Sequence, residues 1–148
     1  MRLLALATAA PYRHAGLLAK IVTTLDVLSG GRAMLAIGAG DNEDEAEGLG
    51  LSYPSLGERF ELLEDTVQAC LRMWDGETGD QRPFLGKHLR MDRPLNVPQS
   101  LSRPHPPILI RWRWRGTHTA IGRPLCRRLQ HSSFARTSAK TRGAQPPL

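Results

Sequence analysis

Short apolar runs and stretches of helical period take turns along the first 110 residues. Leu3 to Ala9 is apolar without polar alternation, the pattern of a strand covered on both faces, and Pro11 stops it. Leu17, Leu18, Ile21, Val22, Leu25 and Leu28 recur at helical spacing and predict an amphipathic helix over 15–28. Ser29-Gly30-Gly31 ends it, because glycine takes the left-handed conformation of a helix C-cap. Ala33 to Ile37 is a second apolar run, too short for a helix, and Gly38-Ala39-Gly40 follows. Residues 42–47 predict a short acidic helix, with Asn42 as N-cap and Glu45 three residues on, a variant of the capping box. Tyr53-Pro54-Ser55 reads as a turn.

The strongest helical pattern runs from Glu58 to Trp74. Phe60, Leu63, Val67, Leu71 and Trp74 form its apolar stripe, with Glu61, Glu64, Asp65, Gln68 and Arg72 off it on a solvated face. Cys70 lies close to the stripe and reads as a small core residue. Residues 75–106 are polar and rich in glycine and proline, a long excursion with a hairpin around Phe84 to Met91. Pro106-Pro107-Ile108-Leu109-Ile110 is a third short apolar strand. The order strand, helix, strand, helices, excursion, strand predicts an α/β fold of parallel strands joined by crossover helices.

Composition narrows the function classes. No apolar run approaches the ~18–20 residues of a membrane helix. Two cysteines, Cys70 and Cys126, cannot build a disulfide scaffold or a four-ligand zinc site, and the five histidines are scattered without a ligand spacing. Met1-Arg2 followed by Leu3 to Ala10 mimics a secretory signal, but its apolar core is short and a strand–helix rhythm resumes at once, so a buried strand and a cytoplasmic protein are expected. The net charge of +6 hides a split. Residues 1–110 carry eleven basic and all fourteen acidic side chains, a net of −3, whereas residues 111–148 carry nine basic side chains and no acid, a net of +9. A block of one sign marks an interaction tail or a disordered one. We therefore expect a domain over 1–110 and a separate basic tail over 111–148.

Several segments of the domain, taken in order, resemble one family. They are Tyr12-Arg13-His14, Leu17-Leu18-Ala19-Lys20, Thr24 to Arg32, Ile37-Gly38-Ala39-Gly40, Leu56 to Glu64, Phe84-x-Gly86-Lys87-His88 and Pro104 to Ile110. Together they resemble an internal stretch of the luciferase-like monooxygenase family, in particular its branch that uses the deazaflavin coenzyme F-420. The resemblance implies a partial TIM (β/α)8 barrel, about strands 3 to 5 with the helices between, out of a fold of ~250 residues. It implies an oxidoreductase that passes hydride from reduced coenzyme F-420 to a small organic substrate, with O2 activation on reduced FMN as the alternative. Family members often form homodimers.

This sequence departs from the family twice. Asp41 stands where an aromatic residue is usual, and Arg111-Trp112-Arg113-Trp114-Arg115 stands where a glycine run is usual. Alternating Arg and Trp is what glycine codons give when read one base out of frame, so the tail is expected to be a frameshift product. On this view the chain is a truncated piece without the early strands and later phosphate-binding loops, and without activity of its own. A third reading takes the Arg and Trp residues of the tail as a nucleic-acid patch, with phosphates neutralised and bases stacked; no recognisable module supports it.

Chemistry in such barrels lies at the carboxyl ends of the strands. Ala7 and Thr8 end the first strand, and the resemblance implies a bulge with a non-proline cis peptide near Leu6 to Thr8 that supports the cofactor ring. Gly38, Ala39, Gly40, Asp41 and Asn42 end the second, where glycines let backbone approach a ligand; the resemblance implies cofactor contact there. The acids Asp41, Glu43, Asp44, Glu45 and Glu47 argue against a bare phosphate at that turn. His14 either caps the helix beside it or donates to the ligand. His88 and His105 are expected in loops, and no catalytic residue or metal site is assigned.

Overall fold

A computed structural model describes residues 1–4 and 6–111; the expectations for the tail beyond Arg111 lie outside the described residues. Three parallel strands form the sheet: β1 (Thr8–Ala9), β2 (Leu35–Gly38) and β5 (Ile108–Arg111), in the order β1-β2-β5. Thr8 pairs with Ile37 and Ala9 with Gly38, while Leu35 to Gly38 pair with Ile108 to Arg111. All four residues of β2 are buried, as its unbroken apolar run requires. The first apolar run yields less strand than expected. β1 is two residues long, and upstream of it, among the described residues, only Leu3 bridges, to Ala33, with a turn between the two contacts.

Helix α1 (Ala15–Leu28) keeps the predicted bounds. His14 caps it, Nδ1 accepting from Gly16 N at 3.2 Å. Its buried face matches the predicted stripe only at Leu18 and Val22. Ala15, Leu18, Ala19, Val22, Thr23 and Asp26 point inward, whereas Leu17, Ile21 and Leu28 are exposed among the described residues. The small residues Ala15 and Ala19 share this face with Leu18 and Val22.

Helix α2 (Glu43–Gly48) is capped by Asn42, whose Oδ1 accepts from Glu45 N at 3.1 Å. Helix α3 (Leu56–Met73) starts two residues earlier than expected, at a reciprocal capping box between Ser55 and Glu58. It buries Leu63, Val67, Ala69, Cys70 and Met73 and packs along α1. Burial without a charged partner pushes the Cys70 thiol up to about 12.

The excursion from 75 to 106 is stitched down rather than loose. Its hairpin, β3 (Phe84–Leu85) and β4 (Arg90–Met91), seats Phe84 against Ala15 and Ala69. Asp65, expected on a solvated face, is buried and accepts from the backbone N–H of His88 and Leu89 at 2.6 and 3.2 Å. The hairpin makes the difference, because its backbone donors need an acceptor once they are covered. Glu61 pairs with Lys87 and with His88 Nε2. Farther on, Asn96 donates to Thr23 Oγ1 at 3.1 Å, as does the Trp74 indole at 2.8 Å, and the His105 ring stacks on Trp74. Asp26, fully buried, accepts from Ala33 N and from Ser102 N and Oγ at 2.7–3.2 Å. No described helix is long and apolar enough to cross a membrane.

Candidate functional site

Because β1, β2 and β5 run parallel, their carboxyl ends share one rim. A cleft of about 650 Å³ opens there, within the size range of small-molecule sites. Every residue expected to touch a ligand lines it: Ala7 and Thr8 from the first strand end, and Gly38, Ala39, Gly40, Asp41 and Asn42 from the second. The peptide between Leu6 and Ala7 is cis, inside the segment where the resemblance implies one. His14 is not among the lining residues, and its cap role is the one the structure shows.

Two glycines allow close packing. A Cβ on Gly38 would stand 3.1 Å from Arg111 O, and one on Gly40 would stand 3.4 Å from Ala9 Cβ. Gly40 also has φ +85°, a conformation other residues avoid. At both positions a neighbouring strand fills the space a side chain would need, and both glycines border the cleft.

Tertiary contacts bring further residues to the rim. Tyr12 follows β1 in a 3-10 turn, and its hydroxyl lies 3.3 Å from both Glu45 Oε2 and Asn42 O, to one of which it donates. Partial loss of water, together with the Glu45 carboxylate, raises the Tyr12 pKa, so this hydroxyl keeps its proton near neutral pH. Arg13 donates to Thr8 Oγ1 at 3.0 Å and fixes that hydroxyl. β5 runs one residue beyond Ile110, and Arg111 stands 3.6 Å from Asp41 across the mouth. Arg59, Phe60 and Tyr53 complete the far wall. The Arg59 guanidinium lies 3.8 Å from the centre of the Tyr53 ring and donates to Pro54 O at 2.6 Å.

The charge balance differs from the one the sequence suggests. Of the five acids near the turn, only Asp41 and Glu45 reach the cleft, and three arginines face them. Among the described residues the lining is therefore net positive and suits an anionic ligand, whereas the local cluster read alone would repel one. Among the described residues no group of His, Cys, Asp and Glu is placed to hold a metal ion.

Comparison with known proteins agrees with this geometry. The family model described as luciferase-like monooxygenase matches residues 1–111. An F420-dependent glucose-6-phosphate dehydrogenase of Nakamurella multipartita is 34% identical over 80 residues, which is 54% of this chain and 22% of the relative. A protein of the same name from Microbacterium testaceum is 36% identical over 64 residues, 43% of this chain and 19% of the relative. The chain thus spans about a fifth of the length of these curated relatives. Among solved structures, the monooxygenase RslO1 of Streptomyces bottropensis superposes with a TM-score of 0.62 at 28% identity, covering 74% of this chain and 32% of that one. The described sheet and helices are accordingly one arc of a barrel.

Proposed function

The chain belongs to the luciferase-like monooxygenase family, and from that premise we propose that its cleft is part of the cofactor site of an oxidoreductase. Coenzyme F-420 is the cofactor this reading favours, because the two curated relatives are named for it; FMN is the alternative. The substrate is a small organic molecule and the protein is cytoplasmic; a homodimer is the expected assembly.

The residues present suit such a group. Gly38 and Gly40 border the cleft with backbone alone, and the net positive charge of the described lining suits a phosphate-bearing molecule. When bound, the deazaflavin supplies a hydride; position and electrostatics come from the protein. Ala7 and the Thr8 hydroxyl, steadied by Arg13, form one side of the seat. Gly38, Ala39 and Gly40 form its floor. Tyr12 offers a protonated hydroxyl backed by Glu45, and Asp41 and Asn42 close the mouth. These residues bind and orient; none of them is assigned the proton transfer.

One observation carries the reading: the two strand ends singled out for the cofactor meet on one rim and line one cleft. Titrating the full chain with coenzyme F-420 and with FMN, followed by cofactor fluorescence, tests it. Saturable binding near one equivalent is expected. A response that stays linear with both cofactors overturns the proposal.

A further inference from the structure

The end of the sheet opposite the cleft carries side chains that the proposed site does not use. The turn after α1 leads into the amino end of β2, and residues 101–103 lie shortly before the amino end of β5. The two segments meet. A Cβ on Gly31 would stand 3.9 Å from Leu101 Cβ, and Ser102 N donates to Asp26 Oδ2 at 2.7 Å. Leu28, in the last turn of α1, is 81% exposed, and Leu101 is 54% exposed. Arg32 and Arg103 are exposed beside them, and exposed Arg2 is carried to the same end by the bond from Leu3 N to Arg32 O at 2.8 Å. None of these three arginines pairs with a carboxylate among the described residues. Arg32 Nε donates to Ser29 O at 2.6 Å and Arg103 Nη1 to Ser100 O, bonds that hold the side chains down without offsetting their charge. Asp26, the acid beneath this surface, is buried and already accepts from Ala33 and Ser102.

We propose that this end of the sheet rests on a membrane surface bearing anionic phospholipid. Each basic side chain near such a surface strengthens partitioning about fivefold. The leucines gain by leaving water for the boundary of the acyl chains, and arginine stems add apolar contact while their heads stay among the phosphates. The contact is peripheral, since no described helix is long and apolar enough to cross. None of these residues lines the cleft, and chemistry in such barrels lies at the carboxyl ends, so the reaction does not account for them. Further staves of a barrel would join alongside, at the outer edges of β1 and β5, and leave this end uncovered. A second copy of this chain does not suit the face, because like charges would meet. The leucines project from a helix end and a loop, a form that suits a fluid surface better than a partner with a fitted groove.

Amide NMR of the full chain tests the proposal, with bicelles of phosphatidylcholine and phosphatidylglycerol that carry a gadolinium-chelate lipid. Residues 111–148 are themselves strongly basic, so retention on lipid alone does not decide, whereas site-resolved broadening does. Amides of residues 28–32 and 101–103 should broaden more than those of 38–42 at the opposite rim. The effect should fade as salt is raised and vanish without phosphatidylglycerol. Arg32→Gln with Arg103→Gln should raise the bicelle concentration for half-maximal broadening about tenfold or more. Leu28→Ser with Leu101→Ser should raise it too, while leaving the salt dependence unchanged. Broadening confined to residues beyond 111, or equal at the two rims, overturns the proposal. So does a polyglutamate peptide that shifts these amides when bicelles leave them unmoved, which would assign the face to an acidic protein.

Discussion

Single residues carry the sharpest consequences of this structure. Gly40 sits at φ +85° with Ala9 Cβ close to where its own Cβ would be. Gly40→Ala should lower the unfolding free energy by about 1–2 kcal/mol in urea titration, the cost of a left-handed alanine. Gly57, near the start of α3 with open space around it, is the control; Gly57→Ala should be neutral or stabilising by up to about 1 kcal/mol. A larger loss at Gly57 than at Gly40 overturns the account. Glu61 is held below the usual carboxylate range by hydrogen bonds from Lys87 and His88. Asp80 is shifted the same way by Arg82 and Arg72. A carboxylate with a depressed folded pKa stabilises the fold above its ordinary range, and that contribution is lost as the pH falls through the folded value. Urea midpoints should therefore drop on acidification below about 4.5, the ordinary value for Glu61. The drop should be shallower in Glu61→Gln, and an unchanged slope in that variant would remove the assignment. At this scale the glycines were legible in the sequence, since a Gly-x-Gly after an apolar run has few other uses. Asp65 was not. Its burial depends on a hairpin about twenty residues away, and its spacing along α3 places it among the solvated acids.

Elements were easier to read than residues, and helices easier than strands. The bounds of α1 follow from its period, from His14 in front and from the glycines behind, all local signals. The S-x-x-E pattern at Ser55 and Glu58 was available to mark the start of α3 two residues sooner. What the period misjudged is which apolar face turns inward. Leu18 is 4% exposed and Leu17 is 57% exposed, although both fit the stripe. Leu18→Ala should therefore cost about 2–5 kcal/mol, through lost burial and the cavity left behind. Leu17→Ala should cost less than about 0.5 kcal/mol, as surface changes do. Equal costs, read from urea unfolding of the two variants, would mean that the Leu17 face is covered in solution. Strand β1 shrank to two residues because an apolar run states only that a segment is to be buried; its hydrogen bonds depend on where the neighbouring strand lies.

At the scale of the whole molecule, β2 is the axis of the described residues. It is paired on both sides and wholly buried, while the β3–β4 ladder is two residues long and lies at the surface. Amide exchange should rank accordingly, with Leu35 to Gly38 slowest and the hairpin and α2 much faster. A hairpin that outlasts β2 would contradict this organisation. The alternation of apolar runs with helical stretches was enough to specify a parallel α/β arrangement, and that arrangement already puts the ends after Thr8 and Gly38 on one rim. Local patterning determined this much because periodicity, capping and glycine placement act between neighbours in the chain. Only the tertiary structure decided the electrostatics. Arg59 reaches the cleft from α3, Arg111 from the end of β5 and Tyr12 from the turn after β1, so a loop that reads as acidic becomes one side of a net positive site. The sign of a site depends on which charges converge in space and how much water they lose on meeting, and no stretch of sequence holds that information until the strands have paired.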